Sequence, residues 1–184
     1  CIDFSKYNFK LRKKIKPRII WLRSFHEIYN PKMAIEVLKI LDNIYDDVKL
    51  TMVGPDKDGS LKKCFELSKK YKLNQKIEFV GYLRKFEWLE IARNHDIFIN
   101  TSTIDNMPVS ILEMMALGLP VISTNVGGIP FILKSKKNSI LVDSNDFKRM
   151  ASSIKYLMDR PKYACEISIN ALKSLKPFSA DLVV

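Results

Sequence analysis

The stretch that most limits the possible folds covers residues 96–133, DIFINTSTIDNMPVSILEMMALGLPVISTNVGGIPFIL. Its short apolar run at 97–100 is typical of a buried parallel strand. A polar turn then leads to Pro108, which favours the start of a helix because its missing N–H costs nothing in the first turn. We predict that helix over 109–117 and a second strand over 121–123. Strand, helix and strand in this order form one βαβ unit, whose crossover is normally right-handed.

The same alternation of short apolar runs and amphipathic segments extends over the rest of the 184 residues. This length suits one domain with a real core and is short for two. Strands are predicted at 18–22, 48–53, 76–80, 97–100, 121–123 and 139–142. Helices are predicted at 32–45, 61–71, 86–93, 109–117, 146–158 and 163–175. The pattern predicts an α/β fold with a doubly wound, Rossmann-like parallel sheet of about six strands.

Two acids in the βαβ unit are candidates for ligand binding. Asp105 lies in the loop after the first strand and Glu113 lies in the helix, in an Asp-x7-Glu arrangement. Ligands of doubly wound sheets bind outside the carboxyl ends of the strands, where helix N-termini offer free N–H groups to anions. A phosphate is therefore predicted over Val109, Ser110 and Ile111, with the acids accepting hydroxyls on either side, as a nucleotide sugar requires. The spacing alone equally describes an ordinary crossover with two unrelated acids.

A longer run of residues points to a family. The run consists of Asp105-Asn106-Met107-Pro108, then Glu113 through Thr124, then Gly127-Gly128-Ile129-Pro130. It resembles the donor-binding signature of the retaining glycosyltransferases of group 1 (family 4), which have the GT-B fold of two Rossmann-like domains. The usual signature is Glu-x7-Glu, so Asp105 is one methylene shorter than the family's first acid. The resemblance implies that this chain is the C-terminal, donor-binding half of such an enzyme.

The resemblance also implies roles for individual residues. Glu113 would accept the ribose hydroxyls and Asp105 the donor-sugar hydroxyls. Arg23, at the end of the first strand, and Lys32, at the start of the next helix, match the cations that hold the diphosphate, although the loop between them is longer than usual. Two such cations would offset the charge that develops on the leaving group. Judged without the family, Arg23 also fits a structural ion pair and Lys32 a surface lysine.

Tyr82 and Leu83 follow the third strand, where the family packs the nucleobase. They would form an apolar wall for the base, and they equally fit a plain β–α turn. No metal is required by this scheme, because the two cations and the helix end offset the negative charge. Asp56 and Asp58 are accordingly interpreted as turn and helix-capping side chains. No catalytic base is assigned, since in this class the leaving phosphate itself is thought to assist the attack.

The formal net charge of +11 favours anionic partners. Basic clusters lie at 10–18 and 134–137. Nucleotide diphosphates, an anionic membrane surface and nucleic acid are all compatible with this charge, and so are plain solvated faces. An alternative function is therefore a non-catalytic basic module that binds nucleic acid or a membrane through 10–18. No zinc spacing or aromatic RNA-binding signature supports nucleic acid. An epimerase of the same fold is a third hypothesis, but no additional acid/base cluster supports it.

The domain boundaries are predicted from the same resemblance. Residues 1–17 resemble the end of an interdomain linker, 18–176 form the nucleotide-sugar domain, and 177–184 form a tail. We therefore expect an N-terminal acceptor domain in the full protein, transfer of a hexose from a UDP- or GDP-sugar, and no turnover by this domain alone. Three scattered cysteines fit no disulfide framework. They indicate a cytoplasmic protein, with a peripheral contact at the inner membrane face as a further expectation.

Overall fold

A computed structural model of the protein describes residues 3–178. Cys1, Ile2 and most of the predicted tail lie outside the described residues. The strands are β1 Arg18–Leu22, β2 Lys49–Val53, β3 Ile77–Gly81, β4 Ile97–Asn100, β5 Val121–Thr124 and β6 Ile140–Val142. The helices are α1 Pro31–Asp42, α2 Ser60–Lys70, α3 Lys85–Arg93, α4 Val109–Ala116, α5 Ile129–Ile132, α6 Phe147–Asp159 and α7 Pro161–Lys173. Short 3-10 turns cover Phe4–Lys6, Glu27–Tyr29 and Lys176–Phe178.

The six strands form one parallel sheet in the order β3-β2-β1-β4-β5-β6. The predicted class, a doubly wound α/β sheet, is confirmed. The chain first builds outward from β1 to β3 and then returns to add β4 on the other side of β1. Ile19 of β1 lies opposite Leu50 of β2 and Ile97 of β4. The order reverses between β1 and β4, so a ligand crevice is expected outside the carboxyl ends of these two strands.

Apolar side chains cover both faces of the sheet. Ile19 and Trp21 of β1 belong to the core beneath α1, α2 and α6, whereas Ile20 belongs to the core beneath α3, α4 and α7. This division follows from the alternation of side chains along a strand. Burial on both faces also explains why the strands are continuous apolar runs rather than alternating ones.

The ends of α1 and α4 matter for the site. Asn30 directly precedes α1, where an asparagine often caps a helix, but it has φ +46 and its side chain does not cap α1. Its amide instead donates to Asn145 Oδ1 over 2.7 Å. Helix α4 ends at Ala116, and the next glycine, Gly118, has φ +80 as expected of a residue just past a helix end. The four-residue α5 was not predicted, because it is too short to show a helical period.

The N-terminal strap, residues 3–12, packs on the domain. Tyr7 is 5% exposed and Arg12 is 4% exposed. The Arg12 guanidinium donates to His95 O over 2.7 Å and to Leu117 O over 2.9 Å, just beyond the C-termini of α3 and α4. Burial lowers the Arg12 pKa to about 10, against the opposing effect of Asp96. Arg12, one of the cations in the predicted basic cluster, is therefore a structural residue rather than part of an exposed patch.

The helices of residues 3–178 include none with both the length and the apolar character needed to cross a bilayer.

Candidate functional site

A cleft of about 230 Å³ opens at the carboxyl ends of the strands, where the strand order reverses. It is lined by residues that follow β1, β2 and β3 and by one side of α4. Among its lining residues are five of the predicted site residues, namely Arg23, Tyr82, Leu83, Ser110 and Glu113. The cleft is smaller than the ~300–1,000 Å³ of typical small-molecule pockets. Its walls therefore enclose only part of a ligand as large as a nucleotide sugar.

Arg23 and Asp105 form an ion pair at this cleft. Arg23 Nη2 lies 2.5 Å from Asp105 Oδ2, and Ser102 Oγ donates to the same oxygen over 3.2 Å. The Arg23 guanidinium also stacks 4.1 Å from the centre of the Tyr29 ring. Its Nε is buried and has no hydrogen-bond partner within residues 3–178. Arg23 is thus both a structural ion-pair partner, one of the two interpretations of the sequence, and a lining residue with an unused donor.

The N-terminus of α4 meets the same cleft. Its capping residue, Pro108, offers no side-chain acceptor. The amide of Ile111 donates to Pro108 O over 3.0 Å, whereas the amides of Val109 and Ser110 make no hydrogen bond within the described part of the chain. Ser110 Oγ is also buried without a partner. Of the three predicted amides, two therefore remain available to an anion, and a hydroxyl stands beside them.

Glu113 is 7% exposed on α4, with its carboxylate at the cleft. Oε1 accepts a hydrogen bond from the Tyr7 hydroxyl over 2.7 Å and lies 3.1 Å from Lys85 Nζ. The sequence analysis missed both partners. Tyr7 belongs to a segment without periodicity, and the contact joins residues 106 positions apart. Lys85 is the first residue of α3 and lies next to the predicted nucleobase loop. That position was the only feature of the sequence that could have marked it as a site residue.

The far wall of the cleft is apolar. Leu83 and Trp88 line it together with Tyr82, which is 72% exposed at the end of β3. Trp88 was not predicted as a site residue, since it lies on the apolar stripe of α3 and its ring is mostly buried in the core. Two aromatic side chains and a leucine form a surface that suits a planar ring.

A sequence profile of the family described as glycosyl transferases group 1 matches residues 3–174. The chain belongs to this family. The amylovoran biosynthesis glycosyltransferase AmsK of Erwinia amylovora is 27% identical over 169 residues, which cover 82% of this chain and 39% of AmsK. The chain spans less than half the length of the curated relatives it matches.

Solved structures share the fold of this group 1 glycosyltransferase domain. Anabaena HepE, in complex with UDP and glucose, superposes with a TM-score of 0.85 at 18% identity, over 97% of this chain and 51% of HepE. The C-terminal domain of LpcC, a group 1 family protein from Francisella tularensis, superposes with a TM-score of 0.84 at 20% identity, over 98% of this chain and 100% of that structure. The neighbours thus include the C-terminal domain of another group 1 glycosyl transferase.

The Asp105 loop of the glycosyltransferase domain rests on two glycines. A Cβ atom at Gly127 would lie 2.2 Å from Asp105 O, and one at Gly128 would lie 1.9 Å from Asn106 O. The amide of Gly128 donates to Asp105 O over 2.9 Å. The Gly-Gly pair of the family signature therefore lets two backbone segments approach closely, and this approach sets the position of the acid.

Lys32 is not brought to the cleft. It lines a separate groove between α1 and α2 with Glu36, Lys63 and Glu66. The cause lies in the long loop after Arg23, where a 3-10 turn is followed by a left-handed Asn30. Lys32 thus becomes the second residue of α1, and its side chain points toward α2. This position does not support the diphosphate-binding role that the family resemblance implies for Lys32.

Asp56 and Asp58 bind backbone amides. Asp56 Oδ1 accepts from Gly59 N over 3.1 Å, and Asp58 Oδ1 accepts from Ser60 N, the first residue of α2, over 3.0 Å. Hydrogen bonds, the largest from Ser60, lower the Asp58 pKa to about 2. Both carboxylates thus have the turn and capping role that the sequence predicted. Across residues 3–178, no three His, Cys, Asp or Glu side chains are grouped so as to hold a metal ion.

Proposed function

We propose that this chain is the donor-binding domain of a retaining glycosyltransferase that uses a nucleotide-diphosphate sugar. The observation that carries the proposal is the convergence of Arg23, the free start of α4 and Glu113 on one cleft at the reversal of strand order. Membership of the group 1 family supports it. The complex of the structural neighbour HepE with UDP-glucose supports it as well.

In this proposal, each part of the donor contacts a different part of the cleft. The diphosphate lies over the amides of Val109 and Ser110, the Ser110 hydroxyl and the unused donors of Arg23. The ribose hydroxyls donate to Glu113, and the transferred hexose lies near Asp105. The nucleobase packs between the loop after β3 and Trp88. The groups around the diphosphate thus carry positive or partial positive charge, whereas the groups near the ribose and the hexose are carboxylates.

The chemical step breaks the bond between the hexose and the diphosphate and forms a bond between the hexose and an acceptor hydroxyl, whose proton passes to the departing phosphate. Arg23 and the amides at the start of α4 stabilise the negative charge that appears on the departing diphosphate. They face the place where that charge develops and need little rearrangement. No metal ion is required in this scheme, although it relies on a single side-chain cation instead of the two first expected, because Lys32 lies elsewhere. In this proposal, the groups that bind the acceptor belong to a second domain outside this chain.

Calorimetric titration with UDP and GDP tests the proposal. We expect one of them to bind and to slow amide hydrogen exchange at Arg23 and over 109–113. The isolated domain is expected to give no sugar transfer, and measurable transfer would contradict the placing of the acceptor groups. No binding at millimolar nucleotide, combined with tight and salt-sensitive binding of DNA, would instead favour the basic-module hypothesis.

A further inference from the structure

The Tyr7 side chain connects the N-terminal strap to the proposed donor site. Its hydroxyl donates to Glu113 Oε1 over 2.7 Å, and Lys85 Nζ lies 3.1 Å from the same oxygen. The second oxygen, Oε2, accepts no hydrogen bond within residues 3–178. One carboxylate oxygen of Glu113 is thus held by the protein, and the other remains available at the cleft.

The strap is also fixed at the far end of α4. The amide of Lys10 donates to Leu117 O over 3.2 Å, and the Arg12 guanidinium donates to the same carbonyl over 2.9 Å. A Cβ atom at Gly118 would lie 2.6 Å from Lys10 O, so this glycine permits the close passage. The strap therefore contacts α4 both at Glu113 and at its C-terminus, and this double attachment sets the distance between Tyr7 and the helix.

We infer that Tyr7 is a positioning residue for donor binding. Its hydroxyl holds Oε1 of Glu113 so that Oε2 faces the ribose hydroxyls of the nucleotide. The inference rests on the proposed function, because it requires Glu113 to be the ribose ligand. It adds that a residue of the strap determines how well the site distinguishes a ribonucleotide from an analogue without ribose hydroxyls.

Tyr7 suits this role better than Lys85 does. The Lys85 side chain is 56% exposed, and an exposed ion pair is mobile and screened by salt. The Tyr7 ring is buried, so its hydroxyl has a fixed origin and direction. Burial, the hydrogen bond to Glu113 and the negative charge of Glu113 raise the Tyr7 pKa above its ordinary value of 10.0, so the phenol remains a donor.

The test compares nucleotides with and without the ribose hydroxyls. UDP and GDP are each titrated beside their 2′,3′-dideoxy forms into the wild-type chain and into Tyr7→Phe, Lys85→Gln and Glu113→Ala variants. The wild type is expected to prefer the natural nucleotide by roughly tenfold or more. In Tyr7→Phe, which keeps the buried ring, this preference falls to about twofold, with little change for the dideoxy form. Lys85→Gln reduces the preference less, and its effect disappears at high salt.

Glu113→Ala separates the inference from the proposed function. This variant is expected to show no preference for the ribonucleotide, and adding Tyr7→Phe to it should change nothing further. A wild type that binds neither nucleotide, or a Glu113→Ala variant that keeps the preference, overturns the proposed function and the inference with it. A Tyr7→Phe variant that keeps the full preference, or that weakens both nucleotide forms equally, overturns only the inference.

Discussion

Asp105 and Glu113 belong to the same βαβ unit, yet the domain holds them by different means. Asp105 lies in a loop, is neutralised by Arg23 from the neighbouring strand end, and rests on Gly127-Gly128. Glu113 lies on a helix, and its oxygen is held by a buried phenol and an exposed lysine from distant parts of the chain. The loop acid thus depends on a close backbone approach and a largely buried cation, whereas the helix acid depends on a hydrogen bond from a neutral phenol and on an exposed cation. The following predictions test this difference, from the largest effect to the smallest.

Substitution of a glycine beneath the Asp105 loop should have the largest effect on stability and binding. Gly128→Ala places a Cβ atom 1.9 Å from Asn106 O, although Gly128 has an ordinary φ of −82°. We expect a loss of about 3 kcal/mol in the free energy of unfolding, measured by urea titration, and a loss of nucleotide binding. Gly59→Ala is the matched control, because Gly59 has φ +81 with nothing near its Cβ position. That change should cost only about 1 kcal/mol, and equal losses would contradict the steric explanation.

Removing the cation of the Asp105 pair should be nearly as damaging. Arg23→Ala leaves the mostly buried Asp105 carboxylate without its charge partner. We expect a loss of roughly 2–3 kcal/mol in the free energy of unfolding. Nucleotide affinity should fall for UDP but not for uridine, since the lost contact is to phosphate. Lys32→Ala provides the comparison and should leave both affinities within about twofold, because Lys32 lines the α1–α2 groove. A large effect of Lys32→Ala would restore its diphosphate role.

The helix acid should affect binding more than stability. Glu113→Ala is expected to weaken nucleotide binding by ~1–3 kcal/mol, because the ribose hydroxyls lose their acceptor. Calorimetry at constant salt measures this loss. Glu66→Ala, which removes an acid of the α1–α2 groove, is the control for net charge. Equal affinities of the wild type and Glu113→Ala would count against the ribose assignment.

The hydrogen bond from the neutral Tyr7 phenol to the Glu113 carboxylate should make stability depend on pH. The folded-state Tyr7 pKa is raised above 10.0, the value expected in the unfolded chain. The stability that comes from keeping this proton is therefore fully present below pH 10 and is lost as the pH rises above it. The stability difference between the wild type and Tyr7→Phe should be constant from about pH 7 to 9 and should then shrink by up to ~1.4 kcal/mol per pH unit.

Urea titrations of both proteins between pH 8 and about pH 11 measure this difference. Taking the difference cancels the other tyrosines whose pKa is raised, which are Tyr45, Tyr71 and Tyr163. A difference that stays constant through this range would show that the phenol is not bonded to the acid.

Much of the fold followed from local patterns. The ends of the observed strands lie within one residue of the predicted ones, and β1 and β4 match at both ends. Helix α1 is three residues shorter at its C-terminus than predicted, ending at Asp42 instead of residue 45. The exact end of a helix depends on local hydrogen bonds, which the spacing of apolar residues does not reveal. The 3-10 turn before α1 was also missed, and this turn is what displaces Lys32.

Part of the site followed from the same patterns. Arg23, Ser110 and Glu113 line one cleft, because residues after parallel strands and at the next helix start meet at one edge of the sheet. Lys32 was assigned by matching a family position across a loop of different length. A change in loop length rotates the following helix, so such a match does not preserve the direction of a side chain.

The sequence by itself determined the order of elements, the parallel sheet and the end of the sheet at which the acids stand. These properties depend on the spacing of apolar residues and on the positions of prolines and glycines, whose effects extend over only a few residues. Only the tertiary structure decided that Arg12 is buried, that Tyr7 holds Glu113 and that Lys32 lies elsewhere. Each of these depends on how an irregular segment crosses a distant surface, because contacts of that kind form between positions that no local pattern connects.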